Sequence, residues 1–193
     1  MTFLNPALSI PRENIGKYIN SLTWKAWVPK FTVLHNTGIP SLETWKINRQ
    51  RYSEIELMSS QKHYERDIKH WHSGVHFFCP PSGNILVLCD PTADGVHCSC
   101  WNHLSFGIEM VGDYSREDFN SGAGAMVRDN AVALMTAINK KFKWMPDNFK
   151  EGVEGLHFHK MCTKDHHDCP GKGVVYADMV HRVKTAMQMD AIA

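Results

Sequence analysis

The sequence has no long hydrophobic run and no excess of charge of either sign. No segment approaches the ~18 consecutive apolar residues of a membrane-spanning helix. Residues 1–19 lack the basic start and unbroken apolar run of a signal peptide. The formal net charge is +1, which argues against a dedicated nucleic-acid binder. We therefore expect neither a membrane nor a nucleic acid as partner, and we expect synthesis in the cytosol.

Compact metal motifs are also absent, because the chain contains neither Cys-x-x-Cys nor His-Glu-x-x-His. In a chain of this length without a secretory signal, the 6 cysteines are expected to be thiols or metal ligands rather than a disulfide framework. The close pair Cys98 and Cys100 is expected to give free thiols. Histidine, by contrast, is abundant: the 12 imidazoles supply neutral nitrogen ligands and proton carriers near pH 7.

The hydrophobic pattern predicts an α/β fold, with a central mixed β-sheet flanked by helices. Apolar residues make up 43% of the chain and 193 residues fit one domain. Strands and helices interleave along the chain, as expected for helices packed on the faces of a sheet. Strands are predicted at 31–37, 74–90 (a hairpin), 103–114 and 156–159, and helices at 41–71, 124–142 and 174–188.

One short stretch, residues 156–172, contains four of the histidines and two of the cysteines. Zinc favours histidine nitrogen and cysteine thiolate, and a catalytic site keeps three protein ligands and one open position. His157 and His159 would share one face of a strand, and Cys169 precedes a Pro-Gly turn. His35 ends an early strand, where functional groups often lie in α/β sheets. The residues predict a His, His, Cys site and leave the late histidine open.

Four motifs then follow one another in a recognisable order. They are VLHNTG (33–38), GVHFFCPPSGNI (74–85), LSFGIEMVGD (104–113) and HKMCTKDHHDCPGK (159–172). Together they resemble the zinc-dependent N-acetylmuramoyl-L-alanine amidases of the amidase type 2 family. That family includes phage endolysins, cytoplasmic recycling amidases and animal peptidoglycan recognition proteins.

The resemblance covers residues 31–185 and implies a single amidase domain over 1–193, in which 1–30 is a lead-in. It implies one Zn²⁺ ion in a groove that holds the peptidoglycan stem peptide. His35 matches the first zinc ligand and Cys169 the third. The second lies eight or ten positions before the third in the family. Position 161 is methionine, so His159 is the expected second ligand and His157 the alternative.

The resemblance also implies two catalytic residues. Glu109 matches the acidic residue that recycling-type members use as a base, and its strand neighbours Phe106 and Ile108 would point to the opposite side. The tyrosine that other members use is replaced here by Val75. A lysine often donates to the oxyanion two residues before the third ligand, and that position is His167. His166 is the alternative if the loop is shifted by one.

Three further residues are expected near the substrate. His97 precedes the strand of Glu109 in a loop that borders the groove in the family. Trp101 would either face a sugar or fill a gap, and Asn36 follows the first ligand. His70 and His72 could mimic a metal pair, which would define a different zinc hydrolase; we interpret them as groove or surface residues.

The function expected from the sequence is hydrolysis of the amide between N-acetylmuramic acid and L-alanine by a monomeric zinc enzyme. Its partner would be peptidoglycan or a muropeptide. We favour a phage or prophage endolysin that waits in the host cytosol until the membrane is breached. The alternatives are a cytoplasmic muropeptide-recycling amidase and a non-catalytic peptidoglycan-binding module.

Overall fold

A six-stranded mixed sheet forms the centre of the protein in the computed structural model, which describes residues 2–189. The order across the sheet is β1-β4-β3-β5-β2-β6. Strand β2 runs parallel to both β5 and β6, and β3 is parallel to β5, whereas β4 is antiparallel to its two neighbours. The strands are β1 (Phe3–Pro11), β2 (Phe31–Asn36), β3 (Phe77–Cys79), β4 (Asn84–Cys89), β5 (Ser105–Met110) and β6 (Leu156–Phe158).

Helices cover both faces of this sheet. One face packs against α1, α4 and α5 through a core that includes Leu34, Phe77 and Ile108. The opposite face packs against α2 and α3 through Phe78 and Leu86. The predicted α/β fold is therefore confirmed. The helices are α1 (Ile15–Ser21), α2 (Leu42–Arg49), α3 (Glu54–His63), α4 (Gly122–Phe142) and α5 (Tyr176–Met189). Among residues 2–189, no helix combines the length and apolar character needed to cross a bilayer.

The segment predicted as one mostly helical stretch, 41–71, is divided. Helix α2 begins where predicted, with the Ser41 hydroxyl accepting from the Thr44 amide at 3.1 Å. It ends at Arg49, and Ser53 starts α3 with a reciprocal capping box to Glu56. The capping box therefore begins a second helix inside the stretch whose apolar pattern predicted one helix. A π-helical turn, Tyr64–Ile68, then extends α3.

The segment predicted as a lead-in contributes strand β1 to the sheet. Strand β1 pairs antiparallel with β4 at one edge, with Ile10 opposite Ile85. An edge strand tolerates proline and leaves one side open to solvent, and most β1 residues are at least partly exposed. It therefore lacks the alternation by which a buried strand is recognised.

A disulfide joins Cys100 to Cys162, two residues that are 62 positions apart. The expectation that the cysteines are thiols or metal ligands is therefore wrong for this pair, and Cys100 is not a free thiol. Cys98 is free and buried. The spacing Cys-x-Cys carries no information about a partner so far along the chain, so local sequence could not reveal the bond.

We expect Cys162→Ser to lower the free energy of unfolding by about 2–5 kcal/mol, because a bond across 62 residues restricts the unfolded chain. Urea unfolding of the zinc-free protein measures the loss. Dithiothreitol should bring the wild type to the stability of the variant and leave the variant unchanged. Equal stability of the two proteins without reductant would contradict the prediction.

Candidate metal centre and cavity

Three predicted ligands meet at the carboxyl ends of β2 and β6. His35 lies near the end of β2, His159 directly follows β6, and Cys169 comes from the loop beyond. The His35 and His159 Nδ1 atoms are 3.0 Å apart. The ligand atoms of all three residues lie within 4.8 Å of one another. Residues far apart in sequence thus form one donor set.

This donor set fits a zinc ion. Two nitrogens and one sulfur are usual zinc ligands, and two nitrogens on one tetrahedral zinc would be about 3.3 Å apart. Burial lowers the pKa of His35 well below its usual value, with further lowering from His97, and burial also lowers the pKa of His159. A lowered pKa favours the neutral imidazole, which is the form that binds metals.

Cys169 completes the set with a half-buried sulfur. Its Sγ accepts a hydrogen bond from the Asn36 amide at 3.3 Å. Burial, with a contribution from Glu109, raises the pKa of the Cys169 thiol above its ordinary value. A bound divalent cation reverses that effect, because a coordinating thiol is deprotonated.

The alternative ligand, His157, lies away from this donor set. Its Nε2 accepts from the Gly152 amide at 2.9 Å, and its Nδ1 lies 3.2 Å from the Gly155 carbonyl oxygen. The ring stacks on Phe31 at 4.0 Å between centroids. Both nitrogens already have partners, so His157 supports the strand and Phe31.

Other donor groups are weaker candidates. One contains both cysteines of the disulfide, which cannot bind a metal while bonded. Another combines Cys98 with Asp165 and His159, although Asp165 already contacts His159 Nε2 at 3.0 Å. The exposed His70 and His72 belong to none of the donor groups formed by residues 2–189.

The donor set opens into a cavity of about 790 Å³ whose wall includes Glu109 and His167. Glu109 is opposite His35 in the β2–β5 register, while Phe106 and Ile108 face the core as the alternation predicts. Burial, and secondarily Glu65, raises the pKa of Glu109 to about 8. A divalent cation nearby would lower that pKa toward neutrality, the range that suits a general base.

The loop before Cys169 places His167 at the cavity and His166 outside its wall. The His167 ring lies 5.0 Å from that of His159, measured between centroids. Both His166 and His167 are exposed. Of these two histidines, His167 is therefore the one placed to reach a group bound next to the donor set.

The three residues expected near the substrate differ in their positions. Asn36 and His97 line the cavity, and the Asn36 side chain donates to the Gly112 carbonyl at 3.1 Å. Trp101 is only 4% exposed, and its ring packs edge-on against Phe31 and His157. The expectation of a sugar contact at Trp101 is wrong, because its ring fills an interior gap.

Glu65, a buried carboxylate that no sequence motif indicates, also lines the cavity. It lies on the π-helical turn, is 2% exposed, and accepts from Gln61 Nε2 at 2.8 Å. Its other oxygen has no hydrogen-bond partner among the described residues. Burial raises the pKa of Glu65 to about 7. A π-helical turn is a structural signal that often accompanies functional sites, but it is not visible in the sequence.

Glu65→Gln should stabilise the protein more at pH 8 than at pH 5. The folded-state pKa of Glu65 exceeds the unfolded one, so its stabilisation is present below about pH 4.5 and is lost as pH rises through about 7. Glutamine resembles the protonated acid and avoids that loss. Urea unfolding at both pH values should show a relative gain on the order of 2 kcal/mol. The exposed Glu151→Gln is the control, and an equal change in both variants would contradict the assignment.

Fold and donor set together define the class: an α/β protein whose parallel strands bring two histidines and a cysteine to an open cavity. A family model described as N-acetylmuramoyl-L-alanine amidase matches residues 25–172. The chain belongs to this family, the amidase type 2 family, whose members are peptidoglycan amidases or peptidoglycan-binding proteins. No curated protein sequence matches the chain at a significant level.

Solved structures of two kinds resemble the fold. The endolysin of bacteriophage Ph2119 from Thermus scotoductus MAT2119 has a TM-score of 0.58 at 17% identity, over 88% of this chain and 96% of that chain. The endolysin amidase LysCS from Clostridium intestinale has 0.53 at 20%, over 85% and 92%. Drosophila PGRP-LB has 0.57 at 19%, over 88% and 85%. At these identities the likeness concerns the fold.

Proposed function

We propose that the protein hydrolyses the amide bond between N-acetylmuramic acid and L-alanine in peptidoglycan, with one zinc ion bound by His35, His159 and Cys169. The convergence of these three donors at one cavity carries the proposal. Glu109 adds a carboxylate to the same wall. Membership of the amidase family supports peptidoglycan or a muropeptide as the partner.

The bound metal, Glu109 and His167 would then have separate roles. Bound zinc would supply Lewis acidity, which polarises the scissile carbonyl and lowers the pKa of water. Glu109 accepts the proton of the attacking water and passes it to the leaving amine. His167 donates a hydrogen bond to the oxyanion that forms as the carbonyl is attacked. An imidazole N–H can donate whether the ring is neutral or protonated, so His167 can fill the position that is lysine in many members of the family.

For the biological role we propose a monomeric phage or prophage endolysin. Two of the similar folds belong to endolysins, which supports this choice. In that role the protein is made in the host cytosol and reaches the wall after the membrane is breached. A recycling amidase would use the same chemistry on soluble fragments.

The test is digestion of purified sacculi by the zinc-loaded protein, with labelling of new amino termini. New N-terminal alanine, and no new reducing sugar ends, is the expected result. Cys169→Ala is the control. Binding to sacculi without new amino termini would replace the proposal with a binding module. Cleavage of soluble muropeptides alone would favour the recycling role.

A further inference from the structure

The outward nitrogens of both ligand histidines are in contact with side chains outside the donor set. His35 Nε2 lies 3.0 Å from His97 Nδ1, and His159 Nε2 lies 3.0 Å from Asp165 Oδ2. Each ligand histidine therefore has one nitrogen toward the donor set and one toward a protein partner. These partners decide which nitrogen carries hydrogen.

The hydrogen positions follow from a chain of contacts that ends at a carbonyl. His97 Nε2 is 3.1 Å from the Ser105 carbonyl oxygen, which can only accept, so this nitrogen carries the hydrogen. A neutral imidazole has one N–H, so His97 Nδ1 accepts, and its partner His35 Nε2 must donate. His35 Nδ1 is then left with a lone pair.

A carboxylate imposes the same arrangement on His159. Asp165 Oδ2 can only accept when ionised, so His159 Nε2 donates and His159 Nδ1 also has a lone pair. The two lone pairs then face the same point across 3.0 Å, an arrangement that a bound cation would stabilise.

We infer that His97 and Asp165 are positioning residues that hold the Nε2–H tautomers of His35 and His159 and so direct both Nδ1 atoms at the metal. This inference rests on the proposed zinc site. Partners of this kind typically contribute 10–100-fold to metal affinity. Their role here is to orient ligands, with no contact to the reacting atoms.

One loop, residues 97–102, contains His97 and hydrogen-bonds Asp165. The Asn102 side-chain oxygen accepts from the amides of His97 and Cys98, each at 2.7 Å. The Ser99 amide donates to Asp165 at 2.9 Å. Cys100 in the same loop is bonded to Cys162, three residues before Asp165. The loop is thereby fixed to the segment that carries the second ligand.

Strand β5 has a glycine where the His97 ring passes over it. A Cβ added at Gly107 would lie 2.6 Å from His97 Cγ, whereas one added at Gly16 would meet nothing within 4 Å. Any larger residue at 107 would displace the imidazole from His35. The strand thus leaves the space that the His97 ring occupies.

Two substitutions separate the two contacts of His97. Asparagine places its side-chain oxygen near the position of Nδ1 and keeps the acceptor for His35, but it cannot reach Ser105. Glutamine can reach Ser105 and lacks the acceptor beside His35. A role in supporting the loop alone predicts that glutamine is the better replacement, whereas a role in orienting His35 predicts asparagine.

Zinc affinity is measured by competition with a chromophoric chelator. We expect His97→Gln to bind zinc about 10–100-fold more weakly than the wild type, and His97→Asn to remain within about threefold of it. Gly107→Ala should weaken zinc binding as His97→Gln does, and Gly16→Ala should not. Equal affinities of the Gln and Asn variants, or tighter binding by Gln, would overturn the inference.

A second measurement needs neither a variant nor a metal. In metal-free wild-type protein, the ring ¹⁵N chemical shifts of His35 and His159 should show hydrogen on Nε2 of both. Hydrogen on Nδ1 of His35 would refute the inference even if the variants fail to fold. A wild type that shows these tautomers but binds no zinc would instead refute the proposed function.

Discussion

Glu109→Gln is expected to keep zinc and to slow amide hydrolysis by about 10²–10⁴-fold, the usual contribution of a general base. Glutamine has nearly the same shape and cannot take a proton from water. Glu109 belongs to the cavity wall and not to the donor set, so metal content should not change. Zinc analysis of the purified variant and release of N-terminal alanine from sacculi measure the two effects.

The matched control is Glu151→Gln, which changes an exposed carboxylate outside the cavity and should leave both measurements unaltered. A rate for Glu109→Gln within about threefold of the wild type would assign the base to another residue. Loss of zinc together with the rate would show instead that Glu109 contributes to the metal site.

Cys169→Ala should lose zinc and activity together. Removing one of three ligands leaves two imidazoles to hold the ion, and the Lewis acidity that zinc supplies corresponds to several kcal/mol, or at least about 10²-fold in rate. The zinc content measured after dialysis should fall from one ion per chain to near zero. His35→Ala is expected to behave in the same way.

His157→Ala is the informative comparison for the second ligand. His157 is fully buried and bonds to the Gly152 amide, so its loss should reduce stability and leave one zinc per chain. His159→Ala should lose the ion. If His157→Ala alone lost zinc from a folded protein, the choice between the two histidines would be reversed.

Local patterns in the sequence predicted the elements that are buried and regular. The apolar spacing that predicted a helix at 124–142, now α4, and the alternation around Glu109 both reflect a single side of an element facing the core. The motifs also predicted that His35 and Cys169 would lie together, and the structure places them in one donor set. These are the parts of the fold and the site that neighbouring residues determine.

Features decided by long-range contacts could not be predicted in this way. The partner of Cys100, the edge pairing of β1, and the interior position of Trp101 each depend on residues distant in sequence. Asp165 was missed for another reason. It follows His159 by six positions, and only the turn between them brings its carboxylate to the outer nitrogen of that ring. Such a partner for a ligand histidine is a general feature of metal sites and could have been sought.

The order of strands across the sheet has one more consequence. Strand β2 lies between β5 and β6, so the early ligand it carries meets late ligands only once distant ends of the polypeptide have paired. A metal ion bound by both His35 and Cys169 would link the early and late parts of the chain. Bound zinc should then raise the free energy of unfolding of the whole domain, and this increase should grow with the logarithm of the free zinc concentration.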